Sequence, residues 1–194
     1  MIVGYNDKWV ICTPTKCGTF SLEGTLIDRM NVGYKIIPRH RVDVPPELAA
    51  EQPHRIMVVR DPLERFVSMF WFLTSFHEDV WLCYFKDFPT WVAKYFEMRD
   101  TKPHWMWTNT MRENNEAFKP HLTFKIEDGL QALVDHVCAF SGYTPITVSR
   151  RNATRTKRDP QATLEVLQGP LRDRLRKHLE VDYDFFAYSR PTWL

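Results

Sequence analysis

Two short apolar runs in this chain are each followed by a polar loop and then by a helical pattern. This repeat restricts the chain to folds in which strands alternate with helices. The first run, residues 9–11, leads into a turn at 14–18, after which apolar residues recur at helical spacing from 22 to 30. The second run, residues 56–59, is continuously apolar, as in a central parallel strand, and leads into a helix start at 61–64. This repeat predicts an α/β fold with both loops at the carboxyl edge of one sheet.

The same alternation extends along the rest of the chain. Expected strands cover 8–13, 33–37, 55–59 and 121–126, expected helices cover 19–30, parts of 62–99, 128–141 and 160 to about 180, and loops cover 43–53 and 143–158. With 194 residues and 44% hydrophobic content, the chain has the size of one globular domain. We therefore predict a single domain over residues 1–194. It would have three P-loop-like layers, with a central, mostly parallel sheet and helices on both faces.

The first polar loop has the composition of an anion-binding loop. A turn between a strand and a helix directs backbone N–H groups and the positive end of the helix dipole toward a bound anion. Thr19 and Ser21 add hydroxyl donors, and Lys16 adds a full positive charge beside Gly18. An ordinary capped helix has a similar pattern, so this loop alone is a weak signal for phosphate binding.

The second polar loop repeats the arrangement with an arginine as its cation. Asp61 is expected to cap the following helix, with Pro62 at the first helical position and Glu64 three residues past the cap. Arg60 then lies at the carboxyl edge of a strand, and Ser68 lies about two turns into the helix. These two residues are expected to clamp a second phosphate. Solvated arginines are the alternative, but two such loops in succession favour a polyanionic ligand.

The two loops resemble the donor-binding motifs of sulfotransferases that use 3′-phosphoadenosine-5′-phosphosulfate (PAPS), and the carbohydrate-type branch is more similar than the cytosolic small-molecule branch. The first loop is similar to the family's 5′-phosphosulfate loop at Lys16, Gly18, Thr19, Ser21 and Leu22. It departs from the family pattern at Thr15, which replaces a proline, and at Phe20, which replaces a hydroxyl residue. The second loop is similar to the family's 3′-phosphate segment at Arg60, Asp61, Pro62, Arg65 and Ser68.

Three later segments extend the resemblance to residue 188. They are a His-Trp pair at 104–105, a strand-end segment at 125–128 and a closing segment at 183–188. The resemblance implies transfer of a sulfuryl group from PAPS to an acceptor hydroxyl, expected on a carbohydrate, with 3′,5′-adenosine bisphosphate as product and no metal requirement. The donor-binding residues that it implies are Thr15, Lys16, Cys17, Gly18, Thr19, Phe20, Ser21, Arg60, Ser68, Arg151 and Arg155.

Lys16 and His40 are the expected catalytic residues. In-line sulfuryl transfer depends mostly on positioning and on stabilisation of developing charge, and Lys16 would neutralise the phosphate that leaves. The acceptor hydroxyl also needs a base. His40 occupies the region in which some carbohydrate-type members place a catalytic histidine. The alternatives are His104, then His54, and the carboxylate Glu23 on the first helix.

A basic segment late in the chain has two interpretations. Residues 150–158 contain five Lys and Arg side chains, together with Asn and Thr, and show no apolar periodicity. One interpretation is a solvated surface loop. The other, which the resemblance favours, is a loop that folds over the nucleotide and includes Arg151 and Arg155.

Charge, cysteine spacing and hydropathy argue against several other functions. A net charge of +2 is too small for a dedicated nucleic-acid-binding face. The four cysteines lack metal-site spacing and are expected to be reduced thiols. The sequence shows neither a leader peptide nor an apolar stretch of the roughly 18 to 20 residues that cross a membrane. We therefore expect a short, soluble, cytoplasmic enzyme of bacterial or viral type.

Two rival functions stay open. A P-loop kinase would also combine a phosphate loop with an apolar strand that ends in an acid, but the kinase pattern places glycines before its lysine, whereas Lys16 precedes Gly18. A non-catalytic nucleotide- or glycan-binding protein of the same fold would share every motif. Titration with 3′,5′-adenosine bisphosphate, with ATP as control, separates the kinase from the sulfotransferase.

The assignment of His40 as the base predicts a specific kinetic defect. The His40→Ala substitution is expected to lower turnover by about 10²- to 10⁴-fold while nucleotide binding stays nearly unchanged. The wild-type rate is expected to fall as pH drops through the ordinary histidine pKa of about 6.5, because protonation disables the base. Near-wild-type turnover in His40→Ala would transfer the role to His104 or Glu23. Bisphosphate affinity and thermal stability should be measured on His40→Ala and on His104→Ala. A histidine that is merely structural will affect these two properties when it is replaced.

Overall fold

The computed structural model describes residues 1–5, 8–36, 42–76, 84–102, 107–148 and 160–192. By internal contacts the chain divides into two compact units. The first unit comprises Met1–Arg60 and Asn114–Arg155, and the second comprises Asp61–Glu113 and Thr156–Leu194.

Strands and helices alternate along most of the described chain. In chain order they are β1 (Ile2–Gly4), β2 (Trp9–Cys12), α1 (Thr19–Leu22), a π-helical segment (Glu23–Ile27), β3 (Gly33–Lys35), α2 (Pro46–Ala50), β4 (His54–Val59), α3 (Pro62–Phe76), α4 (Phe88–Thr101), α5 (Met111–Phe118), β5 (Leu122–Lys125), a 3-10 turn (Ile126–Asp128), α6 (Leu130–Ser141), α7 (Pro160–Glu165) and α8 (Gly169–Phe185). Within these described residues, no helix has both the length and the apolarity needed to cross a membrane.

The first unit contains a mixed five-stranded sheet with the strand order β3-β1-β2-β4-β5. β2 pairs with β4, and β4 pairs with β5, in parallel. β1 is antiparallel to both of its neighbours, β2 and β3. The α/β class is therefore confirmed, whereas the mostly parallel sheet is replaced by a mixed one. The reason is β1, a three-residue strand that the sequence pattern did not predict.

A buried tryptophan organises the antiparallel half of the sheet. Trp9 is fully buried, and its ring lies against Gly4 on the adjacent strand β1 and against Gly33 on β3, the strand beyond it. A Cβ atom added at Gly4 would lie 2.5 Å from the Trp9 ring, and one added at Gly33 would lie 2.6 Å from the Val3 carbonyl oxygen. Both glycines are therefore needed for close packing of a large side chain between neighbouring strands.

Three helical features differ from the sequence-based expectations. The helix expected over 19–30 is α-helical only to Leu22 and continues as the π-helical segment. The expected loop at 43–53 contains the short helix α2. Pro46 is compatible with this helix because it lies in the first turn, where its missing N–H costs nothing. α5 was not predicted, since its eight residues are mostly polar and only Met111 and Phe118 are large, buried apolar residues.

The second unit is built around an aromatic core. Phe66 and Phe70 on α3 contact Phe88 and Trp91 on α4 edge to face, with ring centroids 5.0 to 6.2 Å apart. Such aromatic pairs contribute about 0.5–1.5 kcal/mol beyond the area that they bury. His178 of α8 joins this core, and its Nε2 lies 2.9 Å from the Tyr95 hydroxyl. Burial and the neighbouring arginines lower the pKa of His178 to about 3, so this histidine is neutral and structural.

A buried aspartate on α8 fixes the start of α5. Asp182 is only 2% exposed, and its two carboxylate oxygens accept hydrogen bonds from Met111 N at 2.9 Å and from Arg112 N at 2.8 Å. The charge of Arg65 favours the ionised carboxylate, but burial outweighs it and raises the pKa of Asp182. Asp182 therefore supplies the cap that the first turn of α5 requires.

Substitution of Asp182 tests this cap. Asp182→Ala is expected to lower the free energy of unfolding by about 3 kcal/mol, because it leaves the Met111 and Arg112 amides without this acceptor and removes a negative charge near the buried Arg65 guanidinium. Asp182→Asn keeps one acceptor oxygen and should lose less. The exposed Asp173 on the same helix is the matched control, and its replacement by alanine should change stability by at most about 0.5 kcal/mol. Equal losses for Asp182→Ala and Asp173→Ala in urea titrations would contradict the assignment.

Candidate anion-binding site

The first predicted loop connects β2 to α1 and has an inverted backbone at two positions. Lys16 has φ 68° and Gly18 has φ 84°, both in the left-handed region. The turn is closed by a hydrogen bond from Cys17 N to the Pro14 carbonyl oxygen at 3.1 Å. Because a non-glycine residue in this region costs about 1 kcal/mol or more, Lys16 is held there by the surrounding structure.

Gly18 is required both by its backbone angle and by its neighbours. A Cβ atom at this position would lie 3.0 Å from Ile126 Cδ1 and 3.1 Å from Leu130 Cδ1. Ile126 and Leu130 follow β5 in the chain, so the segment after β5 supports the loop from one side. The loop is also tied across its ends, since the Thr19 hydroxyl donates to Thr13 Oγ1 at 2.9 Å.

The start of α1 directs backbone amides toward this loop. Gly18 is the N-cap and makes no side-chain cap, and the first helical hydrogen bonds run from Ser21 N and Leu22 N to the Gly18 carbonyl oxygen. Amides in the first turn of a helix have no acceptor within the helix, and they carry the positive end of its dipole. Thr15 and Cys17 are at most 1% exposed. Their backbones therefore shape the loop, while their side chains pack inward.

Arg60 lies at the same sheet edge as this loop. β2 and β4 are parallel, with Cys12 opposite Met57, so both strands end on one side of the sheet. Arg60 directly follows β4, and its Nη1 lies 3.4 Å from the Lys16 carbonyl oxygen. The sequence-based expectation that Lys16 and Arg60 meet at one carboxyl edge is thus confirmed within the first unit. β5 also ends at this edge, where Lys125 pairs with Val59.

The two cations influence each other. The pKa of Lys16 is lowered from 10.5 to about 8, first by burial and then by the positive charge of Arg60. The charged form of Lys16 is therefore destabilised in the free protein. A bound anion reverses both effects, because it restores charge compensation to a desolvated ammonium group and offsets the repulsion from Arg60. Burial of Lys16 and its repulsion from Arg60 would therefore both be compensated by an anion bound at this sheet edge.

The helical half of the second motif lies in the second unit and is arranged as a capped helix start. Asp61 Oδ1 accepts a hydrogen bond from Glu64 N at 2.9 Å, which confirms the predicted cap, and Pro62 is the first residue of α3. Arg65 is only 2% exposed and donates from Nη2 to the Asn109 carbonyl oxygen at 3.0 Å, so this motif arginine is structural. Ser68 is half-buried on α3.

Tyr183 contacts this motif, although the sequence analysis assigned no role to this tyrosine. Its hydroxyl donates to both oxygens of Asp61, each at 3.1 Å. Tyr183 begins the closing segment that resembles the family motif, and that resemblance was the only signal in the sequence for it. The interaction joins residues 122 positions apart, so local pattern cannot reveal it.

The candidate bases occupy different places. His54 is the first residue of β4 and Arg60 follows the last, so they lie at opposite ends of a strand about 20 Å long. This separation argues against His54 as the base. Glu23 is 8% exposed and begins the π-helical segment directly after α1, so it lies on the helix that starts at the loop. His40 and His104 lie outside the described residues.

Other sequence-based expectations fall partly outside the described chain. Arg151 and Arg155, expected in a loop over the nucleotide, lie outside it. Cys12, Cys17 and Cys138 are buried and are not disulfide-bonded. Among the residues that the structure describes, no group of three or more His, Cys, Asp or Glu side chains is arranged to hold a metal ion.

His54 instead belongs to a histidine cluster at the amino end of the parallel strands. Its ring stacks on that of His121 at a centroid distance of 5.3 Å, and its Nε2 lies 3.5 Å from the Nε2 of His136. Burial, followed by the two neighbouring histidines, lowers the pKa of His54. The Arg55 amide donates to His121 Nδ1 at 2.9 Å. These contacts explain His54 as a packing residue of the first unit.

Comparison with known proteins gives one match. The model of the sulfotransferase family matches residues 41–189, which is more than three quarters of the chain. The matched region includes the Arg60 motif and the closing segment, and it begins after the Lys16 loop. No curated protein and no solved structure matches the chain significantly.

The lowered pKa of Lys16 predicts an unusually reactive amine. In the free protein, its reaction with an acylating reagent should reach half its maximal rate near pH 8, whereas an ordinary lysine does so near its pKa of about 10.4. Added 3′,5′-adenosine bisphosphate should slow the reaction and move the midpoint upward, because the anion stabilises the ammonium form. Peptide mass spectrometry after brief labelling across pH 6–11 measures this rate. An ordinary midpoint for Lys16, with or without nucleotide, would contradict the electrostatic description.

Proposed function

The chain belongs to the sulfotransferase family, and from this premise we propose that it transfers a sulfuryl group from PAPS to an acceptor hydroxyl. The observation that carries the proposal is the pairing of Lys16 and Arg60 at one sheet edge, with Nη1 of Arg60 3.4 Å from the Lys16 carbonyl oxygen. This hydrogen bond holds the Arg60 guanidinium on the Lys16 loop, and burial together with the positive charge of Arg60 lowers the pKa of Lys16, so a bound polyanion would relieve an electrostatic cost at this edge.

The loop residues fit the 5′ side of such a donor. Gly18 lets the loop pack closely on Ile126 and Leu130, which a side chain at this position would prevent, and α1 contributes amides and the positive end of its dipole. In our proposal the backbone from Thr15 to Ser21 surrounds the 5′-phosphosulfate, including Cys17, Thr19 and Phe20. Since the Thr19 hydroxyl already donates to Thr13, its amide is the more suitable donor to the ligand.

Lys16 has the central chemical role in this proposal. Bound PAPS supplies a sulfuryl group joined to a phosphate leaving group. Lys16 stabilises the negative charge that develops on the bridging oxygen, and this contribution is larger in the transition state than in the ground state. Because the reaction needs positioning and charge stabilisation more than covalent catalysis, a lysine and backbone amides are sufficient here without a required metal ion.

The 3′ side is assigned to Arg60 and Ser68. Arg60 directly follows β4, and its guanidinium donates to the Lys16 carbonyl oxygen at the same sheet edge. A guanidinium matches the geometry of a phosphate with two parallel donors. The buried position of Arg65 supports this division of roles, since Arg65 binds a backbone carbonyl instead.

The finer parts of the proposal rest on the sequence resemblance. They are His40 as the base that takes the acceptor proton, Arg151 and Arg155 as residues that cover the nucleotide, a carbohydrate as the acceptor, and the single three-layer, P-loop-like domain. Glu23 is the alternative base that the structure favours, because it is buried on the element that begins at the loop. A phosphoryl-transferring kinase is the competing function, and a dependence on magnesium would support it.

The assignment of Arg60 predicts selective nucleotide binding. The wild-type protein should bind 3′,5′-adenosine bisphosphate much more tightly than ADP, which lacks the 3′-phosphate. Arg60→Ala should weaken binding of the bisphosphate by at least about tenfold, since a charge-assisted contact contributes roughly 1.5–3 kcal/mol. Affinity for ADP should change far less. Isothermal titration calorimetry with both ligands measures these affinities.

The control for this experiment is an arginine far from the motif in sequence. Arg172 is exposed near the start of α8, and Arg172→Ala removes the same charge from the protein surface. It should leave both affinities within about twofold of the wild type. Equal wild-type affinity for the bisphosphate and ADP would overturn the assignment of the donor.

A further inference from the structure

The Asp61 carboxylate is held in place by two donors within the second unit. Glu64 N donates to Oδ1 at 2.9 Å, and the Tyr183 hydroxyl donates to Oδ1 and Oδ2 at 3.1 Å each. The first contact is an ordinary helix cap that any N-cap aspartate makes. The second contact comes from Tyr183 on α8, whose hydroxyl is within hydrogen-bond distance of both carboxylate oxygens.

Tyr183 is itself rigidly placed. It is 1% exposed and belongs to the buried core of the second unit, and its ring meets that of Tyr188 edge to face at 6.3 Å. The next chain segment folds back onto it, since Tyr188 N donates to the Tyr183 carbonyl oxygen at 3.0 Å. Burial and the charge of Asp61 raise the pKa of Tyr183 above its ordinary value, so the hydroxyl keeps its proton and remains a donor.

Asp61 lies between the two residues assigned to the 3′-phosphate. Arg60 precedes it directly, and Ser68 follows it on the helix that Asp61 caps. Because Asp61 caps α3, loss of its fixed carboxylate alters the first turns of α3, the helix on which Ser68 lies. The loop around Lys16 includes none of these residues.

We propose that Tyr183 is a positioning residue for the 3′-phosphate site, acting through its bifurcated hydrogen bond to Asp61. This inference rests on the proposed function, because the 3′-phosphate site is itself part of that proposal. It gives a role to a residue outside the donor-binding motifs. Tyr183 touches neither phosphate. Its effect is selective: it raises the affinity for nucleotides that carry a 3′-phosphate and leaves the 5′ side unaffected.

The test is the ratio between the affinities for 3′,5′-adenosine bisphosphate and adenosine 5′-monophosphate in the full chain. Tyr183→Phe removes one hydroxyl and keeps the ring, and it should lower this ratio by about three- to tenfold through the bisphosphate affinity alone. Tyr95→Phe is the matched control, because it also removes a buried tyrosine hydroxyl, one that donates to the Thr108 carbonyl oxygen at 2.9 Å. It should lower the melting temperature to a similar extent and leave the ratio unchanged.

Asp61 variants show whether the effect passes through the carboxylate. Asp61→Asn keeps an oxygen that accepts from both donors and should keep the ratio within about twofold of the wild type. Asp61→Ala removes both the helix cap and the contact with Tyr183, so it should lower the ratio at least as much as Tyr183→Phe does. The double variant should be no worse than Asp61→Ala alone, because the Tyr183 hydroxyl then has no carboxylate to act on.

The outcomes separate this inference from the proposed function. A wild-type protein that does not distinguish the bisphosphate from the monophosphate overturns the proposed function. If the wild type does distinguish them, then an unchanged ratio in Tyr183→Phe, an equal loss in Tyr95→Phe, or additive losses in the double variant overturns the positioning role alone. A selective, non-additive loss supports it.

Discussion

The parallel pairing of β2 with β4 is the interaction on which the candidate site depends. It makes two strands end at one edge, and each strand is followed by a loop with a cation, Lys16 in one and Arg60 in the other. The same edge receives the end of β5, whose following residues Ile126 and Leu130 pack beneath Gly18. The repulsion between the cations is thus a direct consequence of sheet topology. An anionic ligand would offset that cost, and this is the electrostatic basis of the proposed polyanion site.

In the second unit, two adjacent residues of α8 hold the starts of two other helices. Asp182 accepts from the first amides of α5, and Tyr183 donates to the carboxylate that caps α3. The buried Arg65 adds a contact from α3 to the segment before α5. A single helical turn near the chain end therefore organises the motif that follows β4. This arrangement gives a physical reason for the resemblance of the closing segment to the family motif.

The features that the sequence predicted are those fixed by neighbouring residues. The apolar run before Arg60 and the cap made by Asp61 are local, and both appear as expected. β1 was missed because three residues carry too little pattern, although Gly4 and Trp9 make it a closely packed strand. α5 was missed because its cap, Asp182, lies 71 residues after Met111.

The candidate site shows the same division. Lys16, Gly18 and Arg60 were identified from motif and spacing, because backbone turns and strand ends have local signatures. The burial of Arg65 and the contact of Tyr183 with Asp61 depend on tertiary packing, and the Thr19–Thr13 hydrogen bond depends on the closed shape of the loop. Sequence motifs therefore identified the candidate residues, whereas the structure was needed to show which of them are buried in the fold.

Proton uptake on nucleotide binding directly tests whether Lys16 belongs to the anion site. At pH 8 about half of the Lys16 side chains are neutral in the free protein, and the phosphates of 3′,5′-adenosine bisphosphate are fully ionised. Calorimetric titration in two buffers of different ionisation enthalpy should therefore show uptake of about half a proton per nucleotide bound. Lys16→Arg keeps the positive charge at this pH and should bind without uptake. Binding of the bisphosphate to the wild type without proton uptake, or equal uptake in Lys16→Arg, would contradict the assignment of Lys16 to the anion site.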